Sequence, residues 1–153
     1  MPYRSTKMFG PISTGHRQWR DDGHCQFIHG YGRKVKVVFG AKHLDDKMWV
    51  VDFGGLRDLK AWLEGEWDHR TLIASNDPKI EKLKELHDEK LINLNIMDVE
   101  LGYGPGIEAS CKYVFDKFDS IICSQSDNRC WVESVEIWEH ELNSAIYIRP
   151  QIL

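Results

Sequence analysis

The nine residues Arg33–Ala41, RKVKVVFGA, alternate charged and apolar side chains, with Val35 and Val37 on one face. A period of two marks a half-buried β-strand. Next, HLDDK at His43–Lys47 supplies turn chemistry, and MWVVDF at Met48–Phe53 reads as a strand running back, so the pair predicts a hairpin. Upstream, KMFGPISTGH at Lys7–His16 reads as a short irregular strand that carries His16 out to a polar loop over Arg17–Gly23.

Downstream the period changes. Leu56, Leu59, Leu63 and Trp67 fall at helical spacing in GGLRDLKAWLEGEW, with the glycine pair at the entry and Asp68-His69 at the exit. Asp77 is placed to cap a second helix, Pro78 suits its first position, and Ile80, Leu83 and His87 continue its face. In LINLNIMDVE, Ile92, Leu94 and Ile96 alternate as in a short strand. After the breaker run GYGPG, residues Ile107, Cys111, Val114, Phe115 and Phe118 describe an amphipathic helix. CWVESVEIWE, with Val135, Ile137 and Glu139 on one face, then turns at Leu142–Ser144 into the strand AIYIR. Strands, helices, then strands predict one α+β domain over residues 1–153, an antiparallel sheet with helices on one face. The open edges of such a sheet are suited to coverage by oligomerisation.

Composition narrows the function. A net charge of −4 gives no basic field for nucleic acid, and no apolar run reaches the roughly 18 residues of a membrane span. With no apolar signal core at MPYRSTKMFG, a cytoplasmic protein is expected. The four cysteines Cys25, Cys111, Cys123 and Cys130 form no C-x-x-C pair and no disulfide framework. Cys111 lies on the apolar helical face, and Cys123 and Cys130 flank the turn SQSDN, so Cys25 alone has chemical neighbours.

Those neighbours lie in Gly15–Tyr31, GHRQWRDDGHCQFIHGY, which holds His16, His24 and His29. His16 and His29, on adjoining strand ends, either converge on a metal ion or stand as polar loop residues. A thiol near imidazoles can be held as thiolate and act as base or nucleophile, although a half-buried loop cysteine is the commoner case. Asp68 could orient His69 for proton transfer, or the pair could be solvated at a helix end. Glu139 either turns inward to accept N–H donors of a ligand or ends its strand as an outward charge.

Taken in order, these residues resemble the 6-pyruvoyl-tetrahydropterin synthase and 6-carboxytetrahydropterin synthase family. The resemblance rests on F-x(6)-H at Phe9–His16, C-x-x-x-H-G at Cys25–Gly30 and V-D-F at Val51–Phe53. It continues through D-H at Asp68–His69, P-x-x-E at Pro105–Glu108 and E-x(7)-Y at Glu139–Tyr147, with extra residues around Asn76–Val99. The resemblance implies the tunnelling fold: an antiparallel four-stranded sheet with helices on one side. In this family, subunits join as trimers whose sheets close a barrel, and two trimers stack into a homohexamer with active sites at subunit interfaces.

It further implies zinc on His16 and His29, proton transfer by Cys25 with Asp68 and His69, and a pterin anchored by Glu139. The implied substrate is 7,8-dihydroneopterin triphosphate, most closely in the 6-carboxytetrahydropterin synthase branch of 7-deazaguanine and queuosine biosynthesis. Two positions depart from the family. Tyr31 stands where H-G-H has its second histidine, so the third zinc position falls to Tyr31, to His24, to a water or to nothing. Gly106 stands where P-T-x-E has its threonine hydroxyl. A divergent enzyme acting without zinc on another pterin or purine-like heterocycle, or a non-catalytic heterocycle-binding protein, are the other readings.

Overall fold

The computed structural model describes residues 3–152. Its elements in chain order are β1 (Tyr3–His16), β2 (His29–Ala41), α1 (Arg57–Trp67), β3 (Arg70–Ala74) and α2 (Ile80–Asp88). β4 (Leu94–Met97), α3 (Ile107–Gln125), β5 (Cys130–His140) and β6 (Asn143–Ile148) complete the fold. It is an α+β fold around one sheet in the order β4-β3-β1-β2-β5-β6. β1, β2, β5 and β6 form an antiparallel set, which β3 and β4 extend through parallel pairing. The sheet therefore has six strands rather than the four expected.

The extra strands have a physical signature that differs from alternation. Thr71–Ala74 are all buried, so β3 reads as a continuous run, as strands covered on both faces do. β1 meets β3 only at Thr14, Gly15 and His16. The predicted hairpin strand over Met48–Phe53 is absent, because β2 already has β1 on one side and β5 on the other. That segment is a loop, tied by Arg129, which donates from Nη2 to Val50 O at 2.8 Å and from Nη1 to His43 O in the preceding turn at 2.9 Å.

The sheet and helices share a core in which Phe9, Val35, Val37 and Phe39 meet Leu59 and Leu63 of α1 and Val114 and Phe118 of α3. α1 forms as its spacing predicts, burying Leu59, Leu63 and Trp67, and α3 buries Ile107, Cys111, Val114, Phe115 and Phe118. α2 begins at Ile80, later than the cap at Asp77 predicts, and buries Leu83, while His87 is exposed and accepts a hydrogen bond from Leu94 N–H at 3.0 Å.

One irregularity in β1 sets the position of the site. The register against β2 shifts between Phe9 and Ile12, where β1 carries one residue more than its partner. Pro11 has no N–H for a ladder and fits such a bulge. Gly10 is held at φ +96°, and a Cβ there would fall 2.5 Å from Arg33 O, so the bulge needs glycine. Beyond the bulge the inward parity is even, and Ile12, Thr14 and His16 are buried. On β2 the inward parity is odd, and it carries His29, Tyr31 and Arg33 on the face of Val35 and Val37.

Candidate active site

His16 lies opposite His29, and Thr14 opposite Tyr31, where β1 and β2 pair. Three rings therefore gather at one end of the sheet. The His16 and His29 centroids are 4.4 Å apart, and Tyr31 lies 5.8 Å from His16 and 5.4 Å from His29. His29 Nδ1 donates to Phe27 O at 2.6 Å, which leaves Nε2 as the ring nitrogen available to a metal. Burial foremost, then Arg33 and His29, pulls the His16 imidazole down to about 3, so it is neutral, and its Nδ1 is buried without a partner.

His16 thus has the protonation state that a metal requires. The third ring does not strengthen the set. Burial, then the charges of Glu139 and Cys25, raise the Tyr31 hydroxyl, so it remains a neutral phenol. Among the described residues, no three His, Cys, Asp or Glu side chains gather as a metal cluster. His24 is exposed on the short helical turn His24–Gln26, and the ring against Tyr31 from β5 is His140, at 5.9 Å. The donor set is one strong ligand short of the three that a catalytic zinc usually takes from protein.

A cavity of about 620 Å³ adjoins these rings, lined by His16, Gln18, Cys25, Gly106, Glu108 and Glu139, with the β5–β6 turn at its rim. Cys25 is exposed in a loop whose shape is fixed by backbone contacts. Gln18 N–H donates to Cys25 O at 2.7 Å, and Cys25 N–H donates to Asp21 Oδ2 at 3.1 Å. The loop is anchored by Arg17, whose Nε and Nη2 reach Asp77 at 2.6 and 2.9 Å, and by Trp19 Nε1 on Asn76 Oδ1 at 3.1 Å. Asp77, expected as a helix cap, is instead a buried ion-pair partner that also accepts from Lys79 N–H at 2.9 Å.

Glu139 continues the Val135–Ile137 face into this cavity, the inward option of the two the sequence leaves open. Behind it stands Arg33, which is fully buried, bonded to Ser110 Oγ at 3.1 Å and to Pro105 O, and stacked 5.2 Å over Trp67. Burial lowers its guanidinium to about 10, with the carboxylates of Glu139 and Glu108 among the charges opposing that fall, so it stays positive at neutral pH. Its bond to Pro105 O fixes the turn that leads into α3.

Asp68 and His69 touch, with His69 Nδ1 3.1 Å from Asp68 Oδ1. Within one chain they do not meet Cys25. His69 lines a second cavity of about 740 Å³ with Ser13 and Gly15, the residues of β1 that alternate with buried Thr14 and His16. The structure therefore brings His16, His29, Tyr31, Cys25 and Glu139 to one end of the sheet and sets the Asp68–His69 pair apart. Gln18, Arg33 and His140 join the site without a motif to announce them. Arg33 sits at the inward parity of a strand pattern, which is the one signal the sequence offers for it.

A family model described as 6-pyruvoyl tetrahydropterin synthase matches residues 7–150. The chain belongs to that family. Among its relatives, the 6-carboxy-5,6,7,8-tetrahydropterin synthase of Rickettsia bellii is 34% identical over 77 residues, covering 50% of this chain and 56% of the relative. The chain thus spans about half the length of that relative and of the similar Halobacterium salinarum protein. The Aquifex aeolicus enzyme of the same name is 28% identical over 131 residues, covering 76% of this chain and 78% of the relative.

Solved structures of the family share the fold. The Caenorhabditis elegans 6-pyruvoyl tetrahydropterin synthase superposes with a TM-score of 0.65 at 20% identity, covering 98% of each chain. An uncharacterized protein from Wolinella succinogenes superposes more closely, with a TM-score of 0.80 at 20% identity over 97% of this chain and 98% of that one.

Proposed function

We propose that this member of the family is a pterin-forming lyase acting on 7,8-dihydroneopterin triphosphate, in the manner of a 6-carboxytetrahydropterin synthase serving 7-deazaguanine formation. The observation that carries the reading is the shared cavity, in which a thiol and a carboxylate face the same space beside the neutral imidazole of His16. The names of the relatives support the choice of branch.

A pterin presents adjacent amino and ring N–H donors, and Glu139 can accept both at once. That contact orients the heterocycle with its side chain toward Cys25, whose thiolate takes a proton from the carbon bearing a hydroxyl. Zinc held by His16 and His29, with Tyr31 as a weak third donor, would polarise the side-chain oxygens when bound. The second proton-transfer group, His69 oriented by Asp68, opens on another cavity, so a neighbouring copy supplies it in a homo-oligomer of the trimer-based kind. No helix among the described residues is long and apolar enough to cross a membrane, and this chemistry requires none.

Turnover of 7,8-dihydroneopterin triphosphate, read as triphosphate and acetaldehyde release, tests the activity, and Cys25→Ala abolishes it. Mixing inactive Cys25→Ala with inactive His69→Ala subunits restores part of the activity if the site is shared between copies. Failure of complementation refutes the shared site. Tyr31 and Gly106 favour a second reading, a divergent enzyme acting without zinc on a related heterocycle. Full activity on another heterocycle after metal chelation, with none on the triphosphate, selects that reading.

A further inference from the structure

Gly106 precedes α3 with φ −67° and ψ 157°, an extended conformation open to any residue. What a side chain there would meet is the Gln18 carboxamide. A Cβ built there would lie 2.1 Å from Gln18 Nε2 and 3.5 Å from Glu108 Oε2. The Gln18 carboxamide occupies the volume that a side chain at position 106 would fill. Gln18 reaches that place from the opposite wall, two residues beyond His16. Its neighbours Arg17 and Trp19 turn away to Asp77 and Asn76, and its own N–H holds Cys25 O.

The cavity needs what this amide offers. Glu108 and Glu139 are acceptors only when ionised, and they match the N–H donors of a 2-amino-4-oxo heterocycle. The ring carbonyl next to the ring N–H requires a donor, and a primary carboxamide has two. We infer that Gln18 is a substrate-recognition residue whose carboxamide donates to the carbonyl of a 2-amino-4-oxo heterocycle, and that Gly106 is its complement, small so that the amide can stand there. The inference rests on the heterocycle reading of the site.

The dissociation constant of unphosphorylated 7,8-dihydroneopterin, followed by quenching of tryptophan fluorescence, provides the test on the full chain. Gln18→Ala weakens binding by about three- to tenfold, the worth of one neutral hydrogen bond. In Gly106→Ala the flexible end of Gln18 yields to the new methyl, so binding falls by a similar factor while the fold persists. The double variant binds no more weakly than either single one, because both lose the same contact.

Losses that multiply in the double variant, or wild-type affinity in Gln18→Ala, overturn the pairing. Glu139→Gln separates the two levels of the argument. If it abolishes binding while Gln18→Ala binds like wild type, the heterocycle site stands and the Gln18 assignment falls. If wild-type protein does not bind the pterin, both fall.

Discussion

Replacing Asp77 with alanine tests how the Cys25 loop is held. Its carboxylate is fully buried and takes two bonds from Arg17, at 2.6 and 2.9 Å, from a guanidinium still about one-fifth exposed. Breaking a buried pair by removing one partner costs about 3–5 kcal/mol, because the survivor is left without compensation. The two partners differ in how far they can recover. In Asp77→Ala, Arg17 can turn to water, which places the cost near the lower bound, about 3 kcal/mol. In Arg17→Ala the buried carboxylate keeps only the Lys79 N–H, which places it near the upper bound, about 5 kcal/mol.

For a chain of this length, about 3 kcal/mol is a melting-temperature loss of roughly 6–12 °C. Urea unfolding of both variants and of the double variant measures the costs and their coupling. Alkylation of Cys25 should accelerate in Asp77→Ala, because the loop between β1 and β2 loses its strongest tie. Additive single costs, equal costs, or a loss below about 0.5 kcal/mol in Asp77→Ala would refute the assignment.

Other outcomes follow from the same geometry. Tyr31→His supplies a third imidazole beside His16 and His29, so zinc retained after dialysis, measured by elemental analysis, should rise to stoichiometry; unchanged metal content contradicts the ring geometry. Because His16 is held near 3 against 6.5 unfolded, the unfolded chain binds the extra proton between those values. Stability should then fall as pH drops from 6.5 toward 3, by up to about 1.4 kcal/mol per pH unit, and this contribution should vanish in His16→Gln. Exposed Cys25 should react first with a thiol reagent in the native protein. Burial raises Cys130 to about 11 and Cys111 to about 12, so these two should react only on unfolding; a buried thiol reacting as fast as Cys25 contradicts the packing.

How much could be read in advance depended on local pattern. Alternation located the strands that became β2, β5 and β6, and helical spacing located α1 and α3. β3 escaped because a strand buried on both faces does not alternate. The Met48–Phe53 segment looked like a strand because Val50 and Val51 are apolar, yet pairing depends on a free sheet edge, which is a tertiary property. At the site, motif spacing picked out His16, Cys25, His29 and Glu139 because each is a chemically distinctive residue. Gln18 is an ordinary residue type, and its role emerges only from its position against Gly106. The separation of Asp68–His69 from Cys25 likewise depends on which face of β1 each adjoins, and the bulge at Gly10–Pro11 decides that parity.

The same bulge and the same Arg17–Asp77 pair also divide the site by stiffness. His16 and His29 sit on backbone laddered between strands, and His16 has a second strand, β3, on its other side. Cys25 sits on a loop tied down by one ion pair and a few hydrogen bonds. Local opening draws on such weakly held segments long before it reaches a central ladder. The cavity therefore has one wall held by strand ladders and another held by a loop. Amide hydrogen exchange across residues 17–28, against that of β1 and β2, would measure how far the two walls differ.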